Sequence, residues 1–108
     1  MSLSYEATKR RVHPFDVNTS GASLLAEIHK VAGAPLCHGI DYRVPYSASA
    51  EEAVFMADKI DALTPAQVDA LCKETLNIWH DMSPNWFVNF VREWARFLRK
   101  CGGYATPE

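Results

Sequence analysis

The sequence predicts a mainly α fold: a small four-helix domain with an irregular or short extended N-terminal arm and an irregular or extended segment at 36–46. Three observations predict it. Apolar residues recur at intervals of three and four in four separate stretches, each stretch opens on a residue able to cap a helix, and glycines end the first and last. The 108 residues, 48% hydrophobic and 22% charged, fit one domain, taken as 4–107, whose core is large enough to form without disulfides or a structural metal. Met1, Ser2 and Leu3 read as an appended leader, and they are set outside the expected fold together with Glu108.

The first helix is expected from Ser20 to Ala32. Asn18, Thr19 and Ser20 offer caps, Leu24, Leu25, Ile28 and Val31 share a face, and Gly33 with Pro35 stops the ladder. A second helix begins at Ser49, whose hydroxyl reaches forward while Glu52 reaches back, and its apolar side is Ala53, Val54, Met56, Ala57 and Ile60. The third has the clearest start: Thr64 caps, Pro65 loses nothing by lacking an N–H, and Gln67 closes a second capping box. Val68, Leu71, Cys72, Thr75, Leu76 and Trp79 then form a stripe, and His80 and Asp81 end the helix, where an imidazolium suits the negative dipole end.

The fourth helix follows Ser83 and Pro84 and runs to about Cys101, where Gly102 and Gly103 end it. At 100° per residue, Trp86, Phe87, Phe90, Val91, Trp94, Phe97, Leu98 and Cys101 fall on one broad face. Asn85, Asn89, Arg92, Arg96, Arg99 and Lys100 fall on the other. Two stretches are not helical in pattern. Arg11 to Val17 is interrupted by Pro14, and Ile40, Tyr42, Val44 and Tyr46 alternate with polar residues before and around Pro45; the two can pair as a short ribbon.

Composition limits function more than it assigns it. A formal net charge of -2 gives no overall pull toward polyanions. No run of about 18 to 20 apolar residues is present to span a membrane, and no apolar stretch follows the basic cluster near the start, so a cytoplasmic protein is expected. Cys37, Cys72 and Cys101 are odd in number and widely spaced, which suits a reducing compartment.

Catalysis has little to build on. Cys37 and His38 with nearby Asp41 are a candidate thiol site, but adjacent side chains in an extended chain point apart, and a half-buried cysteine beside a surface histidine accounts for them. His13, His29, Cys37, His38, Cys72, His80 and Cys101 form no spaced metal-ligand unit, and neither a phosphate loop nor a nucleophile elbow is present. No enzyme, cofactor or metal is therefore expected.

Charge is distributed unevenly. Residues 50–83 hold seven acids and two lysines, whereas the fourth helix sets Arg92, Arg96, Arg99 and Lys100 against Glu93 alone. Solvated faces joined by rim salt bridges explain this pattern; a basic stripe for a phosphate backbone, extended by Lys9, Arg10 and Arg11, is the sharper alternative. A helix-turn-helix of the second and third helices is rejected, because Asp69 and Glu74 would face the phosphates. The broad aromatic arc fits a three-sided internal core; alternatively one margin, Trp86, Phe90 and Phe97, lies outside the monomer core and packs on a second copy or a different protein. The expectation is a non-catalytic interaction or assembly module that forms a homodimer or binds another protein through this margin; the alternative is a nucleic-acid-associated accessory protein using Arg92, Arg96, Arg99 and Lys100.

Overall fold

A computed structural model describes residues 2–37, 43–78 and 83–106. In chain order the elements are β1 (Ser2–Ala7), β2 (Phe15–Asn18), α1 (Thr19–Ala32), β3 (Ser47–Ser49), α2 (Ala50–Asp61), α3 (Pro65–Ile78), α4 (Pro84–Lys100) and β4 (Gly103–Ala105). The four helices lie where local pattern places them. Ser49 and Glu52 form the reciprocal capping box on α2, and Thr64 and Gln67 form its counterpart before α3. The side chain of Asn18 caps α1, one residue ahead of the expected start, and Gly33 ends it at a φ of 72°.

The expected four-helix, all-α domain is corrected by a four-stranded antiparallel sheet in the order β2-β1-β4-β3, which makes the fold α+β. The two chain ends supply its middle strands. β1 pairs with β2 through Ser2↔Asn18 to Tyr5↔Phe15 and then with β4 through Glu6↔Ala105 and Ala7↔Tyr104, while β4 takes β3 on its far side. Ser2 and Leu3, set aside as a leader, are thus paired residues of β1, whose alternation carries Leu3, Tyr5 and Ala7 against the core. The ribbon expected between 11–17 and 40–46 is replaced at Phe15–Asn18 by pairing with β1. An isolated Cys37↔Arg43 bridge flanks Ile40 and Tyr42, which lie outside the described residues, as do His38, Asp41, Trp79, His80 and Asp81.

The sheet explains the wide apolar arc of α4. Trp94 is fully buried at the centre of an aromatic cluster, with Tyr5 of β1 at 5.0 Å, Phe15 of β2 at 5.1 Å and Tyr104 of β4 at 6.0 Å between ring centroids. One margin of the helix therefore covers the sheet. Phe87, Val91 and Leu98 complete a core that α2 joins through Ala53, Met56, Ala57 and Ile60. Tyr104 adds a polar strut by donating its hydroxyl to the Pro45 carbonyl at 2.6 Å.

Ser83 initiates α4 by accepting from the Trp86 N–H at 3.1 Å, just before Pro84. Replacing Ser83 with alanine removes that acceptor and should cost about 1 kcal/mol in urea unfolding, whereas Ser83→Asp should be nearly neutral. Equal losses in the two variants would show that the cap does not stabilise α4.

Candidate functional site

The three aromatic residues expected at an interface are divided by the fold. Phe97 is 6% exposed and lies among Phe15, Trp94 and Tyr104, so it belongs to the core. Phe90 is also buried, touching Phe15 on one side, while its other side carries Trp86, stacked at 5.0 Å and 11° between ring planes. Trp86 itself is 46% exposed.

Other large apolar side chains reach the surface, but their polar surroundings differ. The Phe55 ring lies under the Lys59 ammonium at 5.4 Å, and the Tyr46 hydroxyl accepts from Arg43 at 2.9 Å. Trp86 instead borders a cleft of about 300 Å³ at the corner where β2 turns into α1. Val17, Leu24 and Phe90 provide its apolar lining, and Asp16, Asn18, Ser20 and Gly21 its polar one. This is the lower end of pocket volumes, enough for one long side chain.

The electrostatics of the cleft follow from its two helix starts. At those starts the Gly21 N–H bonds to Asn18 Oδ1 at 2.7 Å, and the Trp86 N–H bonds to Ser83 Oγ at 3.1 Å. Asp16 is the charged side chain among the described lining residues, and it makes no ion pair among the described residues. β2 is an outer strand, so the cleft opens at a sheet edge.

The basic stripe is divided as well. Arg99 reaches across to α2, where its guanidinium bonds Asp58 at 2.9 Å and Asp61, and these carboxylates hold its pKa above the usual value. Arg92, Arg96 and Lys100 are exposed and make no ion pair among the described residues. The acid-rich and base-rich segments thus meet within the molecule at Arg99.

Several ionisable groups are shifted by burial. Burial pushes the Cys101 thiol up, and its S–H faces the Leu98 carbonyl at 3.4 Å. Burial likewise raises the Tyr104 phenol and pushes Tyr5 to about 12. Cys37 is half-buried, with its N–H donating to the Arg43 carbonyl at 2.7 Å. Among the described residues no three His, Cys, Asp or Glu side chains converge on a metal-sized site, and no helix is long and apolar enough to cross a membrane.

The sequence reading missed His29 as a core residue. It is fully buried, its Nδ1–H donates to the Pro35 carbonyl at 3.0 Å, and its Nε2 accepts from the Trp94 indole N–H at 2.9 Å. A carbonyl can only accept and an indole N–H can only donate, so these partners select the neutral Nδ1–H tautomer. Its place between Ile28 and Lys30, four residues after Leu25, was the signal that it lies on the buried side of α1. No local signal marked the cleft, because β2, α1 and α4 contribute residues more than sixty positions apart in the chain. Comparison with known protein families, curated proteins and solved structures gave no match.

Proposed function

We propose that this chain is a non-catalytic protein-interaction module that self-associates, with the N-terminal end of α4 and the adjoining β2–α1 corner as its contact surface. The observation that carries the reading is Trp86, half-exposed, stacked on Phe90 and bordering a cleft that can receive one side chain. Large aromatic anchors beside such clefts dominate the energetics of protein interfaces. The proposed surface is narrower than the aromatic margin read from sequence, because Phe97 serves the core. A second copy is the natural first partner, since twofold homodimers are the commonest soluble oligomers. Nucleic-acid binding has weaker support: Arg99 is engaged by Asp58 and Asp61, and the net charge is negative.

Sedimentation velocity between about 1 and 100 μM tests the reading, a range that covers ordinary homodimer affinities. The wild-type chain should shift from monomer toward dimer with concentration, and Trp86→Ala should remain monomeric. Because Trp86 is half-exposed, its loss should change unfolding free energy by no more than about 1 kcal/mol. A wild-type chain that is monomeric throughout overturns self-association.

A further inference from the structure

Apart from the self-association surface, we infer that the turn between β1 and β2 and the outer side of α4 form one basic surface that holds the phosphate backbone of a nucleic acid. Its cations are Lys9, Arg10 and Arg11 of the turn and Arg92, Arg96 and Lys100 of the helix, all exposed and without an ion pair among the described residues. The fold joins the two groups. Lys9 opens the turn with its N–H on the Cys101 carbonyl at 3.0 Å, and its stem lies along Gly102. Phe15, which follows the turn, packs on Phe97 at 5.7 Å between ring centroids. Both ends of the turn are thus fixed to the last part of α4, which sets the backbone of Arg10 and Arg11 at the Lys100 end of the helix.

On α4, Arg92, Arg96 and Lys100 follow one another every four residues, about 6 Å of rise each, and form a row on the side away from Trp94. Asn85 and Asn89, also exposed, continue that side with neutral donors of the kind that bond phosphate oxygens. Fold stability does not account for the row. Like charges four apart on a helix oppose each other, and attraction to the negative end of the helix dipole reaches only the last turn, which includes Lys100 but neither Arg92 nor Arg96. The acids are not set against it. Asp58 and Asp61 neutralise Arg99, which is therefore no part of the surface, and Glu93, three residues before Arg96, makes no ion pair among the described residues. Six of the eleven lysines and arginines gather here, so the net charge of -2 conceals a positive face.

The complement of this face is a polymer of evenly repeated negative charge. A row at regular spacing meets successive phosphates, and four of its six cations are arginines, whose flat forks pair with phosphate oxygens two at a time. An anionic bilayer is a poorer match, because a helix that lies on a membrane inserts its apolar side, and that of α4 is covered by the sheet. The row holds no aromatic ring on which bases could stack, so the contact is to the backbone and independent of sequence.

Fluorescence anisotropy tests this, with the chain titrated into a labelled, mixed-sequence DNA duplex of about 20 base pairs, and into its RNA counterpart, between about 50 and 200 mM salt. With about four to six phosphate contacts, log affinity should fall against log salt with a slope of about -4 to -5, a loss on the order of 10²- to 10³-fold over that range. Arg10→Gln with Arg11→Gln, and Arg92→Gln with Arg96→Gln, should each make the slope shallower by about 2, whereas Arg99→Gln should leave it unchanged. Circular dichroism and urea midpoints, unchanged in these variants because the substituted side chains are exposed, separate the effect from misfolding. Trp86 lies outside the row, so Trp86→Ala should still bind the duplex, and a wild-type chain that never dimerises leaves this inference untouched. Binding to neither duplex at about 100 μM chain and the lowest salt overturns it. So does an unchanged slope in both arginine pairs, loss of binding in Trp86→Ala alone, displacement by polyglutamate as effective as by unlabelled duplex, or binding to phosphatidylserine vesicles in place of the duplexes.

Discussion

Acidification from pH 7 to pH 4 should remove on the order of 3 kcal/mol of folding stability through His29 alone. The imidazole is buried, and burial lowers its pKa from the ordinary 6.5 to about 4, partly offset by the bond to Pro35. In the unfolded chain it takes up a proton as the pH falls through 6.5, while in the folded chain it stays neutral until about 4. Between those values the unfolded state therefore holds more protons, and stability falls as the pH falls. Above 6.5 the contribution is complete, and it is lost on passing down through the folded pKa. Protonation also sets an Nε2–H donor against the Trp94 N–H at 2.9 Å, where an acceptor is required.

Urea unfolding followed between pH 7.5 and 4.5 checks this, with the slope reporting uptake of about one proton on unfolding. The imidazole resonances of the wild-type protein give an independent reading. Titration of His29 near 6.5 in the folded state would sink the argument. His29→Ala should be among the most damaging substitutions, at about 3–5 kcal/mol, because it opens a cavity and leaves a buried indole N–H unpaired.

His29 shows where reading from sequence succeeded and where it stopped. The helices were legible because their determinants are local: a cap, a capping partner three residues on, and an apolar residue every three or four. The polar face of α4 is exposed as expected, and so is the tip of its apolar arc at Trp86. What an arc faces is not local. A helix that covers a sheet has the same periodicity as one that covers a second molecule, so periodicity alone does not reveal that Phe15 and Tyr104 cover Phe97.

The strands were hidden for a related reason. β3 and β4 are three residues each, Ser-Ala-Ser and Gly-Tyr-Ala, too short to show alternation, and β4 begins only two residues after the Cys101 cap of α4. β1 does show alternation, in Ser-Leu-Ser-Tyr-Glu-Ala, but its partners lie at opposite ends of the chain, and its first residues looked like an appendage. The cleft inherits this nonlocality, since Asp16 and Trp86 adjoin it only because α4 crosses the inner face of the sheet.

The placement of β4 makes Gly103→Ala a severe substitution. Gly103 has a φ of 100°, a region that residues with a side chain rarely adopt, and a Cβ there would stand 2.9 Å from the Ala48 carbonyl oxygen and 3.2 Å from the Ala50 nitrogen. Both neighbours are backbone, one in β3 and one opening α2, so relief requires moving the strand pair or the helix start. Strain and overpacking together should cost about 3–5 kcal/mol. Gly33→Ala is the control: its φ of 72° carries a conformational cost of about 1 kcal/mol, but nothing lies within 4 Å of the added carbon. Gly102→Ala should fall between them, because the atom it meets at 2.8 Å is Lys9 Cγ, part of a flexible side chain that can swing away. Urea midpoints of the three variants should therefore rank Gly33, Gly102 and Gly103 in order of increasing loss. If Gly103→Ala proved no worse than Gly33→Ala, β4 would not lie against β3, and the sheet order that joins the two ends of the chain would be wrong.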